Sequence, residues 1–194
     1  TAQSLDHFVV PVDDLVVAEE FYVRVFGGIL GKRNGLNVRQ CKRGAVPHTF
    51  IQVGGKRMGV YLQSDERPLP NGVRGLPTYS FTTREQGIEA VMKELRQLGM
   101  SFAGPLRNAH PFADQSLFFT DPAGNHYSVY TPNDDTARSN TGIGRMAGVG
   151  YIEIEAPNVE ASIKFYQNVL GFEVQDRSAD RKQATLKMAS GQTL

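Results

Sequence analysis

The residue types that could do chemistry in this chain are four histidines and one cysteine. Imidazole can bind a divalent metal or transfer a proton near neutral pH. A single cysteine, Cys41, can form neither an intrachain disulfide nor a cysteine zinc cluster. His48 precedes a strand-like segment and His110 lies in the loop sequence RNAHPFADQ, so both are interpreted as surface or loop residues. His7 and His126 lie in strand-like segments and are the candidates for a two-histidine site without an obvious carboxylate.

An internal repeat positions these residues. Residues 5–30 and 149–174 share a strand, a helix that contains Phe-Tyr, a glycine stop and a second strand, and residues 76–102 are a fainter copy. Helical spacing of apolar residues, Asp or Asn N-caps and a terminal glycine predict the three helices. The predicted later strands are 36–40, 48–53 and 58–63, then 100–104, 116–120 and 126–130, then about 172–177 and 183–189. The unit is therefore strand, helix and three strands (βαβββ).

With this unit, the His at the first strand, the helix end FY-x-x-V-F/L-G and the hairpin DPAGN, the chain resembles the vicinal oxygen chelate superfamily. That superfamily contains glyoxalase I, bleomycin-resistance proteins and extradiol dioxygenases. The resemblance implies an α+β fold, in which paired βαβββ modules form a cupped, mostly antiparallel sheet with helices outside. We expect a glyoxalase/dioxygenase-like domain at 1–133 with modules 4–75 and 76–133, a linker at 134–147, and an incomplete third module at 148–194.

The resemblance also implies a divalent metal, held by the first and last strands of paired modules. The corresponding positions of this sequence are His7, Thr78 and Tyr151 on first strands, and Tyr61 and Ser128 on last strands. Only His7 is a common ligand type. Thr78 and Ser128 are neutral hydroxyls, and the Tyr61 phenol has an ordinary pKa of about 10. We therefore expect no cofactor, with Fe, Mn, Ni or Zn at His7 and His126 as the alternative.

Strand alternation predicts which side chains face the cleft implied by the resemblance. In NHYSVY, alternate residues point to one face, and in TYSFTT the rings of Tyr79 and Phe81 pack under a helix while their neighbours face outward. The predicted ligand-binding residues are His7, Tyr61, Gln63, Thr78, Ser80, His126, Ser128 and Tyr130. Such a wall of neutral hydrogen-bonding groups suits a small polar or aromatic molecule.

Composition excludes several other classes of function. The net charge is +1, which leaves no basic excess for nucleic acid. No apolar run is long enough to predict a membrane span, and one cysteine favours a reducing cytoplasm. Since the 194 residues hold two units and part of a third, we expect either a fragment of a four-module protein or a homodimer that completes the sheet.

Three functions remain open. The main prediction is a protein with a degenerate metal site that binds a small polar or aromatic molecule in its cleft, which the hydroxyls at Thr78, Ser128 and Tyr151 favour. The alternative is an extradiol ring-cleaving dioxygenase-like or glyoxalase-like enzyme whose catalytic half lies beyond this chain. The third is a structural or interaction module. Whether the chain is an enzyme is left open.

Overall fold

The first βαβββ module is built from β1 (His7–Val12), α1 (Leu15–Phe26), β2 (Ile29–Asn34), β3 (His48–Val53) and β4 (Lys56–Leu62). The structure is a computed structural model that describes residues 5–37, 39, 46–64, 77–133 and 145–194. The Asp14 side chain accepts the backbone N–H groups of Val16 and Val17, and Gly27 ends α1 at a φ of 65°. Cys41 and most of the predicted linker lie outside the described residues.

The predicted strand at 36–40 is wrong. The strand after α1 is β2, which begins two residues after Gly27. Five of its six residues are exposed, so β2 lacks the alternation of apolar and polar residues that reveals a half-buried strand. The chain then turns at Gly35, whose φ is 72°. Leu36 and Asn37 therefore follow a turn and do not continue a strand.

The second and third modules repeat this order. The second has β5 (Thr78–Thr82), α2 (Glu85–Gln97), β6 (Phe102–Arg107), β7 (Ala113–Thr120) and β8 (His126–Pro132). The third has β9 (Gly148–Glu153), α3 (Val159–Phe165) with a π-helical turn (Tyr166–Leu170), β10 (Glu173–Arg177) and β11 (Ala184–Lys187). The α+β class built from βαβββ units is confirmed. No helix in the described part of the chain is long and apolar enough to cross a membrane.

Strand pairing joins the third module to the second. The first sheet has the order β1-β4-β3-β2, and the second has the order β6-β7-β8-β5-β9. First and last strands of a module pair in parallel, as β1 does with β4 and β5 with β8. β9 pairs antiparallel with the other edge of β5, and Thr193 pairs in parallel with Tyr151 of β9. The first strand of one module therefore extends the sheet of its neighbour.

The first and second modules share one core. α1 packs on β3 and β4 of its own sheet, and its rings also meet the second sheet. Phe26 lies 5.0 Å from Phe81, and Tyr22 lies 5.9 Å from Tyr127, between ring centroids. α1 thus lies between the two sheets. The polar face of each sheet is consequently the one turned away from this core, so the two polar faces lie on opposite sides of it.

A buried polar cluster fixes this contact between modules. The Tyr22 hydroxyl donates to a carboxylate oxygen of Asp121, and it lies 2.8 Å from the Tyr127 hydroxyl. Asn125 donates its side-chain amide to Asp121 and to the carbonyl of Pro11 on β1. Burial raises the pKa of the Asp121 carboxyl, although its hydrogen bonds oppose the shift. The hairpin sequence DPAGN therefore closes a turn and also anchors the first module to the second.

Candidate active site

Four polar side chains form a hydrogen-bonded chain on the polar face of the second sheet. The Ser80 and Ser128 hydroxyl oxygens are 2.6 Å apart, and Ser128 Oγ is 3.0 Å from the Tyr151 hydroxyl oxygen. The Tyr151 hydroxyl lies 2.7 Å from His110 Nε2. The two serines are fully buried and Tyr151 is nearly so. We call these four residues the hydroxyl relay.

Parallel pairing of β5 with β8 places the two serines together. Ser80 stands opposite Ser128 in the register, as Thr78 stands opposite His126 and Thr82 opposite Tyr130. Alternation then turns Ser80 away from the core side occupied by Phe81. The sequence predicted this face correctly for both strands.

A β-bulge in β9 brings Tyr151 into the relay. Val149 pairs with Phe81, and Ile152 pairs with Tyr79, so β9 holds one residue more than β5 over the same stretch. The extra residue reverses the alternation. Val149 therefore packs on the core with Phe81, while Tyr151 reaches Ser128 on the polar face.

Aromatic rings enclose the relay. His110 and Phe112 stack with their ring planes 3° apart, and both contact Tyr151 at centroid distances of 4.8 and 5.3 Å. Tyr130 packs against Phe112 and Tyr151, at 5.6 Å from each. A Cβ atom on Gly150 would lie 2.4 Å from the Tyr130 ring, so only glycine leaves room for this ring. We call His110, Phe112, Tyr130 and Tyr151 the aromatic cluster.

Burial keeps the relay uncharged. It lowers the pKa of His110, against the opposing charge of Glu153. Burial also raises the pKa of the Tyr151 phenol, although hydrogen bonds from Ser128 and Ser80 oppose that rise. A neutral His110 can accept the Tyr151 proton at Nε2. The relay therefore holds oriented O–H groups without a buried charge, which would be costly in this setting.

Two cavities of about 820 Å³ each flank the aromatic cluster. The hairpin cavity is lined by Tyr130 and Phe112, by the β3–β4 turn at Gly54–Lys56, by residues 147–150, and by Gln175, Thr185, Lys187 and 190–193. The histidine cavity is lined by His110, Phe112 and Tyr151, by residues 152–160, and by parts of α3 and residues 181–186. Phe112 contributes to both cavities. Each cavity has the size of a small-molecule site.

The structure divides the predicted ligand-binding residues between two faces. Thr78, Ser80, His126, Ser128 and Tyr130 lie on the polar face of the second sheet. His126 Nε2 is buried there without a hydrogen-bond partner among the described residues.

The other predicted residues belong to the first module. His7 lies in β1, next to Asp6 at 2.7 Å and Phe50 at 6.4 Å. Tyr61 stacks on His48 at 4.4 Å, and Gln63 follows β4, where its backbone N–H donates to the Val12 carbonyl. Since the two polar faces lie on opposite sides of the core, the structure does not bring His7 together with His126.

The residues of this site do not fit a catalytic divalent metal. Where β5, β8 and β9 meet, the donors are the neutral hydroxyls of Ser80, Ser128 and Tyr151. Within the described residues, no three His, Cys, Asp or Glu side chains are grouped closely enough to hold an ion. Metal chemistry needs such a group of imidazoles or carboxylates.

Sequence reasoning missed His110 and Phe112 and gave Tyr151 only a negative role. His110 was interpreted as a surface or loop residue, but it is half-buried and hydrogen-bonded to Tyr151. The aromatic pair in HPF, inside a polar loop, was the available signal. Its target could not be known, because β9 follows it by about forty residues in the sequence.

Comparisons with known proteins agree with this fold. The family model described as Glyoxalase/Bleomycin resistance protein/Dioxygenase superfamily matches residues 4–129 and 148–193. A search of curated proteins found no match.

Three solved structures show the same architecture at low sequence identity. A proposed dioxygenase from Bacillus subtilis aligns over 99% of this chain, with 16% identity and a TM-score of 0.71, and this chain spans 62% of its length. A glyoxylase/bleomycin resistance protein/dioxygenase domain from Frankia sp. EAN1pec aligns over 69% of this chain and 100% of its own, with 16% identity and a TM-score of 0.56. The fosfomycin resistance protein FosX from Listeria monocytogenes aligns over 69% and 94%, with 14% identity and a TM-score of 0.55. These likenesses concern the fold.

Proposed function

Because the chain belongs to the glyoxalase/bleomycin resistance protein/dioxygenase superfamily, we propose that it binds a small polar or aromatic molecule without a metal. The site lies between its second and third modules. The observation that carries the proposal is the hydroxyl relay. Ser80, Ser128 and Tyr151 stand on the first and last strands, where the resemblance predicts metal ligands, and they bond to one another. Their hydroxyls are thus already satisfied, and an ion would have to break these bonds.

The surroundings of the relay support a ligand of this kind. Phe112 and Tyr130 offer ring faces and edges, against which a planar molecule can pack. Neutral polar groups such as Gln175 and Thr185 line the opposite wall of the hairpin cavity. A mostly apolar pocket with a few oriented polar groups is typical of small-molecule sites.

The relay itself holds the wall in place. Tyr151 is packed in the aromatic cluster and bonded at its hydroxyl to Ser128 and His110, so its ring has little freedom. A preformed wall loses less conformational entropy when a ligand binds.

A metal-dependent dioxygenase-like or glyoxalase-like enzyme is the second candidate. Its support is the likeness to the proposed dioxygenase from Bacillus subtilis, of whose length this chain spans 62%. In that case, a metal site would lie in a part of the protein other than the residues described above.

Metal content and catechol binding test the proposal together. We expect purified protein to contain Fe, Mn, Ni and Zn far below one ion per chain by mass spectrometry. After chelator treatment, we expect catechol still to bind in saturation-transfer NMR, because the relay needs no ion. Phe112→Ala should abolish that signal, since Phe112 lines both cavities.

Phe50→Ala is the matched control, because Phe50 is a half-buried ring on the polar face of the first sheet. It should leave catechol binding unchanged. Stoichiometric metal that disappears in His7→Ala, binding that is lost on chelation, or catechol cleavage would overturn the proposal and favour the second candidate. Binding that is sensitive to Phe50→Ala would move the site to the other face.

A further inference from the structure

The two cavities differ in charge. Among the described residues, the hairpin cavity is lined by two charged side chains, Lys56 and Lys187, and by no carboxylate. The histidine cavity is lined by Glu153, Glu155 and Glu160 as well as by basic residues. A concave site with charges of one sign attracts a ligand of the opposite sign.

Tight packing fixes the wall that carries Lys56. Gly54 and Gly55 both have positive φ values, 56° and 74°, in the two-residue turn that leads into Lys56. A Cβ on Gly54 would lie 2.9 Å from the Gly148 backbone, so the turn lies directly on the start of β9. Lys56 is therefore held at the cavity by contact between the first and third modules.

Lys187 enters from the opposite wall. It lies in β11, in the same strand as Thr185, and both residues line the cavity. Two acidic residues lie near these lysines but outside the lining. Glu173 stands opposite Lys187 across the β10–β11 hairpin. Asp6 lies near Lys56, but its carboxylate already pairs with His7 at 2.7 Å and with Arg57 at 3.5 Å.

We propose that the hairpin cavity binds a small organic anion with a planar aromatic body. The acidic group lies between Lys56 and Lys187, and the ring packs on Phe112 and Tyr130. This inference rests on the proposed function and names the ligand class of the same site. The remaining polar lining, such as Gln175 and Gln192, is neutral and can donate further hydrogen bonds to the anion.

Three probes of similar shape and different charge test the inference on the full chain. Benzoate, benzyl alcohol and benzylamine are titrated into chelator-treated protein at low salt, with binding followed by NMR. We expect benzoate to bind more tightly than benzyl alcohol, and benzylamine to bind most weakly. Lys56→Gln and Lys187→Gln should each weaken benzoate binding by about three- to fivefold, from the Coulomb energy of charges about 4–6 Å apart in water. Added salt should reduce the preference.

Lys93→Gln is the control, since Lys93 is an exposed lysine of α2 away from the cavity. It should leave benzoate binding unchanged, and none of the three substitutions should alter benzyl alcohol binding. Equal affinity for benzoate and benzyl alcohol, or a response of benzoate to Lys93→Gln as large as that to Lys56→Gln, would overturn the inference and leave the proposed function intact. If no aromatic probe binds, both fail.

Discussion

Gly150→Ala should disrupt the site through one added methyl group. Gly150 lies in the β9 bulge directly before Tyr151, and a Cβ there would lie 2.4 Å from both Cε1 and the hydroxyl oxygen of Tyr130. Real carbon atoms do not approach so closely, so either the ring or the strand must move. The Tyr130 ring is 7% exposed and packs on Phe112 and Tyr151, which leaves it little room.

The expected cost follows from this overpacking. Adding a methyl group to a well-packed site typically costs about 1–3 kcal/mol in the free energy of unfolding. The flexible end of the clash is a ring held on two sides, so we expect a cost of about 2 kcal/mol. Tyr151 should also shift away from Ser128, because the bulge that aims it begins at Gly150.

Urea denaturation followed by circular dichroism measures the cost. Gly148→Ala is the matched control two residues earlier in the same strand, because a Cβ there meets a single atom, the Thr82 hydroxyl oxygen at 3.3 Å. It should change stability little, or raise it by up to about 1 kcal/mol, since alanine loses less backbone entropy than glycine.

A double-mutant cycle separates the clash from other effects. Tyr130→Leu removes the ring atoms that a Cβ on Gly150 would meet. In that background, Gly150→Ala should cost far less than in the natural chain, which gives a coupling energy above about 1 kcal/mol. Additive effects of the two substitutions, or a Gly150→Ala protein as stable as the Gly148→Ala protein, would refute the reasoning.

Two further predictions concern buried polar groups. Tyr22→Phe should destabilise the chain by about 1.5–3 kcal/mol in urea denaturation, because Asp121 loses a donor, while Tyr127→Phe should cost about 1 kcal/mol; the reverse order would contradict this account. Burial depresses the folded-state pKa of His110 below 6.5, so the stability that its neutral form contributes should be present above pH 6.5 and lost as pH falls through the folded pKa. His110→Gln, which can still accept from Tyr151, should remove that part of the pH dependence, and an unchanged pH profile would rule out His110 as its source.

Much of the fold could be predicted from local patterns. Helix periodicity, Asp14 as N-cap and Gly27 as stop define α1 without any tertiary information. Alternation also predicted that Ser80 and Ser128 face one side, because side chains in a strand alternate whatever the partner. The method failed at β2, where nearly every residue is exposed and no burial pattern exists.

The sequence alone thus determined the repeating unit and the polar face of each strand, because both depend on residues close together in the chain. Only the tertiary structure decided which faces meet. The pairing of β9 with β5, the bulge that turns Tyr151 inward and the place of His110 beside it all depend on strand edges and loops distant in sequence. For the same reason, His7 and the two serines, equally polar in the sequence, lie on opposite sides of one core.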